Sequence, residues 1–128
     1  MTHPHQLALV ERMRVLQRSS PEIEAAALIS QDGLIIASAL KPEIDPDRIS
    51  AMSASILSLG EQIGKETNIG ALEQVYIQGE SGHVVLMSVG EGAVLTALVT
   101  AQAKMGVLLL DMRHAAEDLQ KVLLFADQ

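Results

Sequence analysis

The stretch LGEQIGKET, residues 59–67, comes nearest to a site for chemistry, because Gly64 and Lys65 stand close to a hydroxyl residue, as in phosphate-binding loops. Such a loop has the pattern G-x-x-x-x-G-K-[ST], in which backbone N–H groups, the lysine and the hydroxyl converge on phosphates and magnesium. Here Leu59 replaces the first glycine and Glu66 replaces the hydroxyl residue. The stretch also closes a helical pattern, whereas a phosphate loop opens a helix. We interpret it as a helix end.

The four histidines form no recognisable catalytic or metal-binding set. His3 and His5 are two residues apart, but no third metal ligand accompanies them. His83 follows a glycine turn and is predicted to be an exposed turn residue, and His114 is predicted to lie on a solvated helix flank. No serine stands in G-x-S-x-G, and no two acids are predicted to converge in a pocket. We therefore expect no enzyme activity of the chain's own, no metal and no cofactor.

Length and composition favour a single domain over residues 1–128, with its core in about residues 6–125. Hydrophobic residues make up 48% of the chain and aromatic residues 2%, so small and aliphatic side chains must build the core. The formal net charge of −7 disfavours nucleic acid as a partner, because its phosphates would be repelled.

Cysteine usage and hydropathy indicate the compartment. With no cysteine there are no disulfides and no thiolate metal sites, and the residues after Met1 lack the regions of a signal peptide. The longest nearly apolar stretch, AVLTALVTA, is too short to span a bilayer. We expect a soluble, cytoplasmic protein that does not insert into membranes.

Apolar periodicity and turn residues predict eight elements in the order α-β-β-α-β-β-β-α. Asp32 and Gly33 are suited to the tight turn of a first hairpin, and Asp45 or Asp47 is available to cap the middle helix. Short glycine-bearing turns join the last three strands into a meander. The predicted bounds are 5–17, 47–65 and about 104–126 for the helices, and 23–30, 34–40, 73–79, 83–89 and 93–101 for the strands.

This order predicts an α+β fold, in which a five-stranded antiparallel sheet carries the middle helix on one face and the two terminal helices on the other. The third strand alternates apolar Val75 and Ile77 with polar neighbours, which favours a place at the sheet edge. A single middle helix cannot cover one whole face of five strands, so a twofold partner is expected to complete the cover.

Two sides of the middle helix differ in character. One is an apolar stripe, predicted as core, and the other is a small flank that carries almost no charge. Gly60 costs about 1 kcal/mol relative to alanine inside a helix, and close approach by another backbone would explain it. We therefore expect the equivalent helix of a second copy to pack on the small flank. The apolar stripe is Ile49, Met52, Ile56, Leu59 and Ile63, and the small flank is Ser50, Ser53, Ala54, Leu57, Gly60 and Gly64.

Three phrases, AALISQDGLIIAS (26–38), DPDRISAMSASI (45–56) and VYIQGESGHVVLMSVGEGAVLTALV (75–99), resemble the roadblock / dynein light chain (Roadblock/LC7) family, in particular its bacterial MglB-type members. The resemblance covers nearly the whole chain. It implies a roadblock/profilin-like α-β-α sandwich and a homodimer in which residues 73–79 pair with their twofold mate beside two packed middle helices. The implied dimer interface is Ser53, Leu57, Gly60, Gly64, Val75, Tyr76, Ile77 and Gln78.

Family members of this kind bind small Ras-like GTPases, and the MglB-type members activate GTP hydrolysis. The resemblance therefore implies a non-enzymatic, homodimeric GTPase-activating partner that orders the switch regions. Its outward docking surface would be Arg48, Ala51, Ser55, Ser58 and Gln62. An arginine finger is conceivable from Arg48, although family members of this type act without donating one.

Two alternatives stay open. Other members of the family are scaffold or adaptor subunits of motor, polarity or signalling complexes and leave hydrolysis rates unchanged. A small-molecule sensor with related architecture would need a pocket with convergent polar groups, and no residues demand one.

Overall fold

The computed structural model describes residues 6–126, with side chains described as far as Leu124. The eight predicted elements are present in the predicted order, with bounds shifted by a residue or two. The helices are α1 (Gln6–Ser19), α2 (Pro46–Thr67) and α3 (Met105–Ala126). The strands are β1 (Ile23–Ser30), β2 (Ile35–Ala39), β3 (Gln74–Gln78), β4 (Gly82–Val89) and β5 (Ala93–Thr100).

The strands form one antiparallel sheet in the order β2-β1-β5-β4-β3. The first hairpin turns at Gly33, whose φ of 86° is open to glycine without strain. Gly90 makes the turn from β4 to β5 with a φ of 61°. The meander of the last three strands leaves β3 at one edge of the sheet, as its alternating pattern predicts.

Helices α1 and α3 cover one face of the sheet. Their buried residues Met13, Leu16, Met112 and Leu119 belong to one apolar cluster with inward residues of the central strands, such as Leu95. The Arg12 guanidinium contacts the Asp118 carboxylate at 2.7 Å, and the Ser20 hydroxyl donates to the Asp111 carboxylate at 2.6 Å. From Arg12 to Ser20 the chain moves forward along α1, whereas their partners move back along α3 from Asp118 to Asp111, so the two helices run antiparallel.

Helix α2 lies on the opposite face over a smaller cluster of buried apolar side chains. Leu57 packs there with Ile29 of β1, Leu86 of β4 and Val94 of β5. The predicted α-β-α sandwich is therefore confirmed. Two helices cover one face of the sheet, whereas α2 alone lies on the other.

Candidate functional site

Helix α2 starts at a strong capping residue. The Asp45 carboxylate accepts from the backbone N–H groups of Asp47, at 3.0 Å, and of Arg48, at 3.4 Å, and Pro46 follows the cap. Asp45 thus satisfies two N–H groups that have no partner within the helix. The cap fixes the residue at which α2 begins.

The stretch that resembles a phosphate-binding loop, residues 59–67, forms the end of α2. Gly64 and Lys65 lie in the last turn, and Asn68 ends the helix in the left-handed conformation with a φ of 59°. The Gly64 carbonyl accepts from the Ile69 N–H at 3.1 Å, and the Lys65 carbonyl accepts from the Asn68 N–H at 3.2 Å. A helix C-terminus presents carbonyl oxygens and the negative end of the helix dipole, which disfavours phosphate.

The small flank of α2, and not its apolar stripe, is the side most buried against the sheet. Ser53 and Leu57 of the small flank are each only 4% exposed, because they face the chain's own sheet. Of the apolar stripe, which was predicted to be core, Met52 is 56%, Leu59 58% and Ile63 61% exposed. Ile49 and Ile56 of the same stripe are half-buried, and Ile56 packs against the cluster below α2. The stripe is therefore divided, with three of its five residues pointing away from the sheet.

The glycines of the small flank have close neighbours within the same chain, which accounts for their lack of a side chain. A Cβ added at Gly60 would lie 2.9 Å from Leu72 Cδ2 and 3.5 Å from Val75 Cγ2. One added at Gly64 would lie 3.1 Å from the Gly70 carbonyl oxygen. Ser53, Leu57, Gly60 and Gly64 thus have close neighbours within their own subunit, and their place in a dimer interface stays a prediction. Small residues let α2 approach the sheet and the following loop closely.

The five residues predicted to dock a GTPase are all exposed on α2. Three of them line a shallow groove of about 520 Å³ between α2 and the β1–β2 turn, where Asp32 and Gly33 form the other wall. The remaining two, near either end of the helix, are not among the groove-lining residues. We call these five the docking flank: Arg48, Ala51, Ser55, Ser58 and Gln62, of which Ala51, Ser55 and Ser58 line the groove.

The outer edge of β3 carries backbone groups that no strand of the described sheet pairs with. Glu73 accepts from the Ser88 N–H and Gly79 donates to the Gly82 carbonyl, so the odd-numbered residues of this segment bond to β4. The even-numbered residues Gln74, Tyr76 and Gln78 therefore direct their N–H and C=O groups to the free edge.

Side chains of β3 differ between the two faces of the sheet. Val75 packs in the cluster below α2, and Ile77, on the same face, is 41% exposed. Near Ile77 the sheet is left uncovered by α2, and an open cleft of about 530 Å³ is lined there by Val84 and Leu98. The expected incomplete cover of this face is thus found at the β3 side.

His83 was predicted to be an exposed turn residue, and this is wrong. It is 7% exposed, and its ring stacks on Tyr76 with centroids 5.4 Å apart. The Tyr76 hydroxyl lies 2.9 Å from His83 Nδ1, and Nε2 lies 3.3 Å from the Ala101 carbonyl oxygen. A neutral imidazole protonated at Nε2 satisfies both contacts, donating to Ala101 and accepting from Tyr76. The sequence signal that could have found this pair is the register of the β3–β4 hairpin.

We also searched the described residues for a histidine site, a metal site and a membrane-spanning helix. His114 is exposed on α3, as predicted, whereas His3 and His5 lie outside the described residues. Between residues 6 and 126 no group of three histidine or acidic side chains could hold a metal ion. Nor does any helix of that part have the length and hydropathy needed to cross a membrane.

Comparisons with known proteins agree with this architecture. The sequence profile of the Roadblock/LC7 domain matches residues 9–99. An uncharacterised protein of Methanocaldococcus jannaschii is 30% identical over 112 residues, which cover 88% of this chain and 97% of that protein. Myxococcus xanthus MglB superposes with a TM-score of 0.90 at 16% identity, over 98% of this chain and 95% of that one. An MglB with a tetrameric arrangement superposes with a TM-score of 0.88 at 23% identity, over the same shares.

Proposed function

Because this chain belongs to the Roadblock/LC7 domain family, we propose that it is a homodimeric, cytoplasmic regulator of a small Ras-like GTPase. In this proposal it makes and breaks no bonds itself and raises GTP hydrolysis in the manner of MglB-type members. The observation that carries the proposal is α2, because one helix displays both an uncovered apolar stripe and the docking flank.

The homodimer accounts for the uncovered apolar surface. Met52, Leu59 and Ile63 are each more than half exposed, and exposed apolar patches of this kind mark interaction sites. Near β3, the same face has the open cleft beside Ile77. A second copy that joins at the β3 edge brings its own α2 beside this surface, and the apolar stripes of both copies become buried. The tetrameric arrangement of an MglB supports self-association in this family.

The docking flank suits a protein surface better than a small molecule. Its groove is shallow and lined by short side chains, notably Ala51, Ser55 and Ser58. Short side chains permit close approach by a loop of the partner, whereas a ligand pocket would enclose most of its ligand. The small-molecule sensor is therefore the weaker reading of this surface.

Regulation would proceed by positioning. The GTPase supplies the phosphate loop, magnesium and attacking water, and contact with the docking flank orders its switch segments for in-line attack. Arg48 is exposed in the first turn of α2. In this proposal it helps to dock the partner, and no arginine finger is required.

The test is single-turnover GTP hydrolysis by each small Ras-like GTPase of the source organism, with and without a molar excess of this chain. We expect an increase of at least tenfold with one of them, and Ser55→Arg should abolish most of it by blocking the groove. Ser19→Arg is the matched control, because Ser19 is exposed at the end of α1 on the other side of the sheet.

Other outcomes decide against parts of the proposal. Binding that leaves the hydrolysis rate unchanged would make the chain a scaffold or adaptor subunit. Equal loss of stimulation in Ser55→Arg and Ser19→Arg would remove the docking flank as the contact surface.

A further inference from the structure

The outward side of the helix layer formed by α1 and α3 combines exposed apolar side chains with basic ones. Leu7 is 75% exposed, Val107 60% and Leu110 51%. Arg14 and Lys121 are exposed on the same two helices. We call this surface the terminal face and define it by Leu7, Arg14, Val15, Val107, Leu110 and Lys121.

Helical spacing brings the apolar and basic residues of the terminal face to the same side of each helix. At about 100° per residue, Leu110 and Lys121 of α3 lie about 20° apart around the helix axis, and so do Leu7 and Arg14 of α1. Met112, which packs on the sheet, is on the opposite side of α3. Since α1 and α3 are in contact, the two outward sides join into one outer surface of the sandwich.

Charge is distributed unevenly between this helix layer and the rest of the chain. Residues 6–19 and 104–126 carry six basic and four acidic residues, whereas residues 20–103 carry three basic and eleven acidic ones. Two of the four acids in the layer are held in ion pairs with arginines of α1. No side chain described between residues 6 and 124 forms an ion pair with Arg14 or Lys121. The layer is thus the basic side of an acidic chain.

We propose that the terminal face binds the surface of a membrane that contains anionic phospholipids. Exposed leucine and valine side chains can enter the boundary between head groups and acyl chains, while arginine and lysine contact the lipid phosphates. An acidic surface of another protein would attract the same basic side chains, but it would leave the apolar ones beside charged groups. The mixture of apolar and basic side chains therefore favours a lipid surface.

The net charge of −7 does not prevent this contact. The terminal helices and α2 lie on opposite faces of the sheet, and two layer spacings of about 10 Å place them about 20 Å apart. At physiological ionic strength the Debye length is about 8 Å. Repulsion between lipid phosphates and the acidic residues around α2 is therefore weak at the terminal face. Contact there also leaves the docking flank turned away from the membrane.

Glu117 allows a test in which binding is gained. It is an exposed acid of α3, one turn from the basic residues Arg113 and Lys121. Glu117→Lys should raise binding to anionic vesicles at least fivefold, because each basic residue near such a surface contributes an increase of about fivefold. Glu66→Lys is the matched control, since it makes the same charge change at an exposed position of α2. It should leave binding nearly unchanged.

Two further variants should lose binding. Lys121→Glu reverses a charge of the terminal face and should lower binding at least fivefold, whereas Lys65→Glu makes the same change on α2 and should not. Leu110→Gln should lower binding with the charge unchanged, because it removes an apolar side chain from the contact.

Sedimentation with vesicles measures the binding of the unmodified chain and of each variant. One set of vesicles holds equal parts of phosphatidylcholine and phosphatidylglycerol, and the other holds phosphatidylcholine alone. We expect the folded chain to bind the first set only and to be released as the salt concentration is raised. A misfolded variant would be recognised because it binds both sets through exposed core residues.

Three outcomes would overturn the proposal. The first is that the unmodified chain does not bind vesicles with phosphatidylglycerol. The second is an equal gain in Glu117→Lys and Glu66→Lys, which would show that net charge and not the terminal face decides. The third is full binding by Leu110→Gln, which would leave the face to an acidic protein surface. Because the readout needs no GTPase, failure here leaves the proposed regulation standing, and failure of GTPase stimulation leaves the membrane contact standing.

Discussion

Gly60 and Gly64 lie one turn apart in α2, yet an added methyl group would meet different surroundings at each. At Gly60 the nearest atom is the end of the Leu72 side chain, which can rotate away. At Gly64 it is the backbone carbonyl of Gly70, which is held by the loop that follows the helix. Both positions gain about 1 kcal/mol of helix propensity from alanine, so the difference between them reports the contact alone.

We expect Gly64→Ala to be less stable than Gly60→Ala by about 1 kcal/mol, because backbone yields less than a flexible side chain. Urea denaturation of the two variants, at a concentration low enough to give monomers, measures this difference. Variants that are equally stable but fail to self-associate would place the two glycines in the dimer interface.

Single residues were well predicted where the local backbone decides. The positive φ of Gly33 and the capping by Asp45 follow from the chemistry of a tight turn and of an unpaired helix start. His83 shows the limit of such reasoning. Its burial depends on the Tyr76 ring seven residues away and on the Ala101 carbonyl of another segment, and both contacts are set by the register of the sheet.

At the scale of elements, α2 shows that periodicity identifies two sides of a helix without saying which side faces the sheet. The more hydrophobic side was predicted to be buried, as in a helix that has only its own core to cover. In the structure the side with small residues approaches the sheet, and Met52, Leu59 and Ile63 of the apolar stripe remain outside. Such a reversal is expected where the exposed apolar side has a partner of its own, which a single chain does not contain.

The same change, leucine to alanine, can be made on each side of α2, at Leu57 and at Leu59. Leu57→Ala empties a buried position and should cost about 2–5 kcal/mol of unfolding free energy. Leu59→Ala, at a residue that is 58% exposed, should change the stability of the monomer by less than about 0.5 kcal/mol. Chemical denaturation of dilute protein measures both. A large cost at Leu59 and none at Leu57 would mean that α2 is rotated from the orientation described.

At the scale of the whole molecule, the stability of a homodimer depends on concentration. Because association stabilises only the folded chain, the melting temperature of the unmodified protein should rise as its concentration is raised from the dimer dissociation constant to 100 times that value. Leu59→Lys should remove this dependence, since it places a charge within the apolar stripe.

Differential scanning calorimetry over that concentration range makes the measurement, with light scattering to count subunits. Lys121→Ala, on the helix layer away from α2, is the control and should keep the concentration dependence. A melting temperature that stays constant while scattering reports a monomer would contradict the homodimer.

The architecture as a whole was predictable because each element has its own signal and the short turns allow few orders of strands. The central place of β5 between β1 and β4 was not read from the pattern, since pairing between distant strands leaves no local mark. The binding partner of a surface is even harder to predict from the sequence. Exposed short side chains such as Ser55 and Ser58 carry no catalytic signature, and their meaning depends on a second molecule.

The antiparallel arrangement of α1 and α3 has a practical consequence for handling the molecule. The start of α1 and the end of α3 lie at the same end of one helix layer, on the side of the sheet opposite α2. A fluorophore, an affinity tag or a surface tether attached at the start of α1 or at the end of α3 therefore lies on the side of the sheet away from the docking flank. Immobilised protein should present α2 to the solution, so that binding of a candidate GTPase can be followed by surface plasmon resonance without obstruction by the support.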